Sequence, residues 1–487
     1  MNSFLFKSII DNLCRRRTIR YKHNFTLKEN FTEFFENVDN KYRNQPGNRR
    51  LFSGKLPFKL HFAATSVINK YRNKNFRRKV KEIEDDFLRI FVNRESEQQQ
   101  QDNVENTKKI NVDESFDYEM AMKNIGFKQE MQERHRTLYF EKDFYNNHEC
   151  ASYMAARLPA NFAVLSHVFN EIRNEEPDFQ PTSVFDFGSG IGTTIWAADH
   201  YWNKTIQEYF CVDMNENMNQ LSRELLQRGT LNDEHILDRI FYRQFLPAKH
   251  FPSYDLVVSA FSLLEMEDTR NRLYVVENLW QKTSGCLVLI EHGSKAGFQA
   301  IMEARNFLLQ INRKIQLEQQ QSNLPNQSDR TEIDNRLLSI GGSIMAPCPH
   351  DLICPRQSIL NKKSYCNFGV HYQPLDYGQT NPRIKSEKFT FLIMKKHGNH
   401  HHCWKEEQKN WSKIIEPVVS KAGHAICRIC DNDGLLKQII VSKSKTDKHV
   451  YKCIKSARWG DKLPMDVNEC TVDTETETTL TKTKTDE

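Results

Sequence analysis

Two cysteines, Cys348 and Cys354, lie in the stretch APCPHDLICP with five residues between them and a proline directly after each. Thiols at set spacing can form a disulfide, bind zinc, hold an iron–sulfur cluster, or do nothing in particular. The chain has twelve cysteines but no apolar segment of secretory type, which argues against a disulfide framework. The ligand candidates are Cys348, Cys354, Cys366, Cys427 and Cys430; the others sit in core-like, leader or tail segments. Zinc prefers two close C-x₂₋₄-C pairs, and only Cys427 and Cys430 have that spacing. A cluster needs four thiolates on irregular loops, often with proline beside a ligand, and C-P-x₄-C-P followed by Cys366 and one distant cysteine suits it better. Spacing therefore ranks a cluster first, zinc second and unliganded thiols third.

A second chemistry-bearing stretch is TSVFDFGSGIGTTIWAADHYW (residues 182–202), which reads as a buried strand, a glycine turn and a helix. Gly188, Gly190 and Gly192 let the backbone turn tightly and approach a ligand. The helix beginning at Thr193 turns its free N–H groups toward that ligand. Asp213 ends the next strand, where a carboxylate can accept both hydroxyls of a ribose. A dinucleotide fingerprint wants G-x-G-x-x-G, but this run is D-x-G-x-G-x-G from Asp186, with Thr193 at the third-glycine position. It resembles the first motif of S-adenosylmethionine-dependent methyltransferases, so Asp186, Gly188, Gly190, Gly192 and Asp213 are the expected cofactor residues.

Catalysis has no such support. Methyltransferases acting on base amino groups resemble one another in an N/D-P-P-Y/F/W motif after the fourth strand. Here that position reads Ser259-Ala260-Phe261-Ser262, with no carboxylate until Glu265. Cys286 lies inside an apolar strand and reads as core. No catalytic residue is assigned.

The elements that must carry these groups alternate strand and helix. Strands at residues 253–266, 285–294 and 388–396 extend a doubly wound α/β sheet, a Rossmann-like fold of the class I methyltransferase kind. An N-terminal helical region precedes it and a β-rich, cysteine-bearing extension follows. At 487 residues the chain suffices for two or three domains, while 38% hydrophobic content points to polar insertions. Residues 96–106, 316–332 and 471–487 have no apolar period and are expected to lack structure. No run of 18 apolar residues exists, so no membrane partner is expected.

The net charge of +6 hides an asymmetry: residues 1–95 hold 22 Lys+Arg against 10 Asp+Glu, leaving the remainder near −6. The segment INKYRNKNFRRKVK (residues 68–81) interleaves Tyr71 and Phe76 with cations, which suits a phosphate backbone; the bland alternative is a solvated helix face. The first residues are Arg-rich and acid-poor with Phe4, Ile9 and Leu13 on one helical face, as in a mitochondrial transit peptide. The expected divisions are a transit peptide over 1–27, a basic helical region over 28–150, a methyltransferase-like domain over 151–400, a C-terminal extension over 401–465 and a tail over 466–487. The histidines of HGNHHHC (residues 397–403) read as a solvated loop.

Several motifs in order, YMAARLPANFAVLSHVFNEI, FDFGSGIGTTIWAA, PCPHDLICP, CNFGVHYQP, HAICRICDNDG and ARWGDKLP, resemble the Rsm22-like family of mitochondrial small-ribosomal-subunit assembly factors over about residues 115–465. The resemblance implies a protein of the mitochondrial matrix, needed for mitochondrial translation. It further implies an S-adenosylmethionine-binding fold without methyl transfer, a 4Fe–4S cluster, and docking on small-subunit rRNA and ribosomal proteins. Carried over, Cys348, Cys354 and Cys366 match three cluster ligands and Cys430 the fourth, with Cys427 its competitor. The gap of eleven residues between Cys354 and Cys366 is longer than expected of relatives. The alternative is an active rRNA methyltransferase of the same subunit.

Overall fold

The computed structural model describes residues 23–27, 42, 45, 47–49, 54–85, 146–229, 237–247, 252–266, 268–322, 341–357, 365–378, 383–396 and 411–469. Cys14, Cys403, Cys470, the segment 96–106 and the histidine run at 397–403 lie outside them.

The central sheet grows from short strands rich in β-branched and aromatic residues. These are β2 (Ser183–Phe187), β3 (Glu208–Val212), β4 (Ile240–Arg243), β5 (Tyr254–Ala260) and β6 (Thr283–His292). They lie side by side in the order β4-β3-β2-β5-β6, all parallel. Beyond β6 comes β9 (Lys385–Lys396), antiparallel to both β6 and the far strand β7 (Gly342–Ala346), while β8 (Phe368–Tyr372) also pairs with β9. This is the doubly wound α/β sheet expected, with its order reversing between β2 and β5.

Alternate residues of each strand feed opposite cores, as period-two geometry requires. Val184, Leu256, Val258 and Val288 join one cluster; Phe185, Val257, Leu287 and Leu289 join the other. The first is covered by α1 (Phe58–Tyr71), α2 (Asn147–Glu175), α3 (Thr193–Trp202) and α4 (Glu216–Leu226). The second is covered by α5 (Thr269–Gln281) and α6 (Lys295–Ser322). Helix α2 starts at a capping box: Asn146 accepts from the His148 and Glu149 amides, and Glu149 reaches back to the Asn146 amide.

The cysteine-bearing extension is a second sheet. Its strands β10 (Ser412–Ile414), β11 (Val419–Lys421), β12 (His424–Cys430), β13 (Leu436–Ser442) and β14 (Lys462–Leu463) carry helix α7 (Lys448–Ser456) over their own apolar cluster. The last strand, β15 (Met465–Glu469), pairs antiparallel with β1 (His23–Leu27). A buried charge lattice joins this sheet to α2. Lys413 Nζ lies 2.6 Å from Glu171 Oε1, Arg49 Nε 3.2 Å from Glu171 Oε2, Arg49 Nη2 2.6 Å from Glu175 Oε1, and Lys462 Nζ 2.8 Å from Glu175 Oε2. Burial alone would raise the Glu171 pKa, but Lys413 and Arg49 outweigh it and hold the carboxyl down at about 2.

Two expectations are corrected. Helix α6 continues to Ser322, through the start of the Gln-rich stretch 316–332; Gln, Glu and Leu are good helix formers, and a helix already nucleated on the core extends through them. In the basic segment, Phe76 is buried against Tyr377 and Tyr71 is half-buried, its hydroxyl donating to Glu224. Both aromatics pack into the fold, while Lys70, Arg72, Lys74, Arg77 and Arg78 stay exposed. Among the described residues no helix is long and apolar enough to cross a membrane.

Candidate functional site

The glycine turn sits at the carboxyl end of β2, at the switch point where open α/β sheets form their ligand crevice. All three glycines have positive φ, +71° at Gly188, +50° at Gly190 and +76° at Gly192, which side chains adopt only under strain. Their roles differ. A Cβ on Gly188 would come within 1.9 Å of Ser262 Oγ, and one on Gly192 within 2.2 Å of Ser222 Oγ. Those two glycines permit close packing. A Cβ on Gly190 would meet nothing within 4 Å, so Gly190 is the glycine that faces open space.

Asp213 follows β3 and closes on the same turn. Gly190 N–H donates to its Oδ2 at 2.7 Å and Asn215 N–H to its Oδ1 at 2.9 Å. The strand end, the turn and the carboxylate are thus brought together as the sequence predicts. Asp186 lies beneath the turn, buried, with Oδ2 lacking a partner. Burial pushes its pKa up to about 7, opposed by a Thr194 hydrogen bond and aided by Asp213.

Beside this turn lie Glu265, which the sequence offered only as the first carboxylate after the fourth strand, and Glu291, which sequence reasoning passed over. Burial, with Asp213 and Glu291 adding to it, pushes Glu265 up to about 8. Glu291 accepts from the Leu263 and Leu264 amides at 2.8 and 3.2 Å, and burial raises it to about 7. A lone Glu inside the apolar run CLVLIEH was the available signal. Phe261 takes a left-handed φ of +61° at the end of β5 and packs against His292, with ring centroids 4.6 Å apart. It stands in the stretch Ser259-Ala260-Phe261-Ser262, the sequence position compared above.

The second site lies where the two sheets meet. Cys348, Cys354, Cys366 and Cys430 line one small cavity, partly open to solvent, together with Arg356, Lys413 and an apolar wall. Burial, with the other three thiols adding to it, pushes the Cys430 thiol far up; burial and Cys348 push Cys354 to about 11. Cys430 ends β12 facing this cavity. Cys427 is one turn of the pleat away on the opposite face, fully buried in the apolar cluster of the C-terminal sheet and beside Cys453. Odd separation along a strand sends the two side chains to opposite faces, which is why only one of them reaches the cavity.

Among the described residues no three His, Cys, Asp or Glu side chains stand close enough to share a single ion. A tetrahedral zinc site would need sulfurs about 3.8 Å apart. Several buried donors near the thiols lack partners: Arg356 Nε, Arg305 Nε and His350 Nδ1. His350, between the first two of these cysteines, is buried with Nε2 3.4 Å from Cys430 Sγ. Trp459, from the ARWGDKLP motif, packs half-buried against Phe368 and Gly369.

Sheet order and glycine turn together define a protein of Rossmann-like, class I methyltransferase architecture carrying an appended β-sheet and a four-thiol cavity. A family model described as mitochondrial small ribosomal subunit Rsm22 matches residues 147–318 and 329–464, and the chain belongs to that family. It is 35% identical over 332 residues to the human mitochondrial ribosome assembly protein METTL17, an alignment covering 68% of this chain and 66% of that relative. It is 30% identical over 250 residues to the mitochondrial Rsm22-cox11 tandem protein 2 of Schizosaccharomyces pombe, covering 45% of this chain and 30% of the relative. The aligned region thus spans under two thirds of the length of either relative. Among solved structures, a magnesium protoporphyrin IX methyltransferase from Synechocystis overlays on 59% of this chain and 99% of its own at 14% identity, with a TM-score of 0.25. That overlay is too slight to bear on function.

Proposed function

We propose that this chain is an assembly factor of the mitochondrial small ribosomal subunit, acting in the matrix on immature rRNA and its ribosomal proteins, and needed for mitochondrial translation. Family membership and the relative named as a ribosome assembly protein support that role. The observation that carries the site reading is the convergence of Cys348, Cys354, Cys366 and Cys430 on one cavity at the seam of the two sheets. Their number, their loop setting and the unpartnered donors around them fit a 4Fe–4S cluster. When bound, the cluster supplies four iron–thiolate bonds that cross-link the β7–β8 loop region to β12. The chain's own residues do the rest: the charge lattice holds β10 and β14 on α2, and the loop from Cys348 to Cys354 lies against β12 through His350.

In the same reading S-adenosylmethionine binds at Gly188, Gly190, Gly192 and Asp213, with Asp186 supporting the turn from below. The openness at Gly190 and the carboxylate beside it favour this ligand. Bound there, the cofactor would present an electrophilic methyl group, but Phe261 and Ser262 hold the target position without a polar clamp. The ligand then has a structural role. The leader expected over residues 1–27 overlaps β1 (His23–Leu27), which pairs with β15, so in this reading its boundary is corrected to lie before His23.

The test is direct. Protein purified anaerobically should contain about four iron atoms and four sulfides per chain and should co-sediment with the small subunit; Cys430→Ser should lose both properties. One zinc and no iron in the parent chain would overturn the cluster reading. One observation favours a second reading, an active rRNA methyltransferase: Glu265 titrates near working pH beside the cofactor turn, as a proton acceptor should. Labelled methyl groups entering rRNA at one nucleotide, and lost with Glu265→Gln, would establish that reading instead.

A further inference from the structure

Buried cations lie around the four-thiol cavity; the carboxylates of Arg356 and Lys413 are shared with other cations, and Arg305 has none among the described residues. Arg305, on α6, is fully buried. Among the described residues no carboxylate pairs with it: Nη2 donates to the carbonyls of His350 at 3.2 Å and Leu352 at 2.6 Å, Nη1 to Asn306 Oδ1 at 3.3 Å, and Nε has no partner. Both carbonyls belong to the loop between Cys348 and Cys354. A guanidinium buried without a counter-charge costs several kcal/mol unless something anionic stands near.

Arg356 is two residues past Cys354 and lines the cavity. Its Nη1 donates to Tyr365 O at 3.2 Å, beside Cys366, and its Nη2 to Glu416 Oε1 at 2.8 Å, across the seam to the C-terminal sheet. Its Nε is buried and unpartnered. Glu416 also pairs with Arg428, so one carboxylate serves two guanidiniums. Lys413, from β10, lines the cavity as well and shares Glu171 with Arg49. The acid nearest the fourth thiol, Asp431, is itself held by Lys437 and Ser412.

We propose that Arg305 and Arg356, with Lys413 behind them, form a cationic cradle whose counter-charge is the metal–thiolate centre itself, and that Arg356 sets both how firmly the centre is held and how readily it accepts an electron. The proposal rests on the cluster reading above and deepens it. A 4Fe–4S core with four thiolates is anionic and gains one more negative charge on one-electron reduction, so a nearby buried cation stabilises the reduced form more than the oxidised one. Arg356 touches the segments carrying the second and third thiols and the sheet carrying the fourth. Its free N–H is a donor suited to a thiolate or sulfide acceptor, and hydrogen bonds to cluster sulfur raise the reduction potential. Arg305 holds the loop of the first two thiols from behind.

The experiment uses the full chain, purified anaerobically and reconstituted with ferrous iron and sulfide, as parent, Arg356→Met, Arg356→Lys and Arg305→Met. The readouts are iron and sulfide per chain, visible absorption, a dithionite potentiometric titration followed by electron paramagnetic resonance, and thermal unfolding. Arg356→Met should leave at least tenfold less reduced centre at a fixed potential, which for a one-electron couple is a shift of about 59 mV to lower potential. Arg356→Lys should stay within threefold of the parent. Arg305→Met should lose more than half of its iron after a chelator challenge that the parent survives. Parental titration and parental iron retention in both methionine variants would overturn the proposal. If Arg356→Met takes up no iron, the lysine variant decides: loading restored by Lys supports the charge argument, and equal loss overturns it. A parent carrying zinc and no iron fails before any substitution, so failure of the cluster reading is seen separately and takes this proposal with it.

Discussion

His350 Nε2 lies 3.4 Å from Cys430 Sγ, so the loop between the first two cavity cysteines touches the fourth, 80 residues later in the chain. The imidazole sits on the loop after β7 and the sulfur at the end of β12, so the contact forms only when the C-terminal sheet is docked. It also marks Cys430, not Cys427, as the thiol belonging to the cavity. Serine at Cys430 should therefore abolish iron binding while leaving the fold of the second sheet intact. Serine at Cys427 should keep the iron and instead lower stability by about 1–3 kcal/mol, because it buries a hydroxyl among apolar side chains. Iron analysis beside thermal unfolding of the two variants separates these outcomes; the reverse pattern would reassign the fourth ligand.

The glycine turn predicts a split between ligand and fold effects. Asp213→Ala should weaken S-adenosylmethionine by roughly 1–3 kcal/mol in calorimetry, as loss of a charged acceptor does. Gly190→Ala should cost about 1 kcal/mol of stability from its left-handed backbone and affect the ligand more than the fold. Gly188→Ala should be the more damaging to the fold, since its new methyl group collides with Ser262. Equal stability losses at 188 and 190 would contradict the assignment of open space to Gly190.

Stability should fall as pH rises through neutrality. Asp186, Glu265 and Glu291 titrate in the folded chain at about 7, 8 and 7, all above their ordinary values. Each binds its proton more tightly folded than unfolded, so its contribution is complete below about pH 4 and is lost as pH climbs through the folded value. Unfolding free energy from denaturant titrations should decline between pH 5 and 8.5, and Glu265→Gln should remove roughly 1–3 kcal/mol of that decline. A slope unchanged in the variant would exclude Glu265 as a contributor. Glu171, held at about 2, acts oppositely and is felt only in acid, where its protonation removes stability.

The buried lattice should lock the second sheet onto α2. Glu171→Ala leaves Lys413 and Arg49 without their shared carboxylate, and breaking a buried pair from one side costs about 3–5 kcal/mol. Hydrogen exchange should show β10 and β14 losing protection before β2 or β5. Uniform loss across both sheets would mean that the lattice does not act as a local clamp.

The sequence by itself determined the doubly wound sheet and the cofactor turn. Both are local: apolar runs of four to seven residues make buried strands, and glycines at 188, 190 and 192 are legible because positive φ is a property of single residues. The resemblance also brought together Cys348, Cys354, Cys366 and Cys430 as a set. The tertiary structure supplied the physical reason for the resemblance's choice of Cys430 over Cys427: the side to which a strand residue points depends on which face is packed, and spacing alone leaves both open. The structure likewise decided that Phe76 and Trp459 are packing residues and that Glu265 and Glu291 sit beside Asp213. Arg305, Arg356 and Lys413 carry no motif. Their roles depend on charges that meet across hundreds of residues, and Coulomb interactions in a buried seam are set by distance in space, to which distance along the chain is no guide.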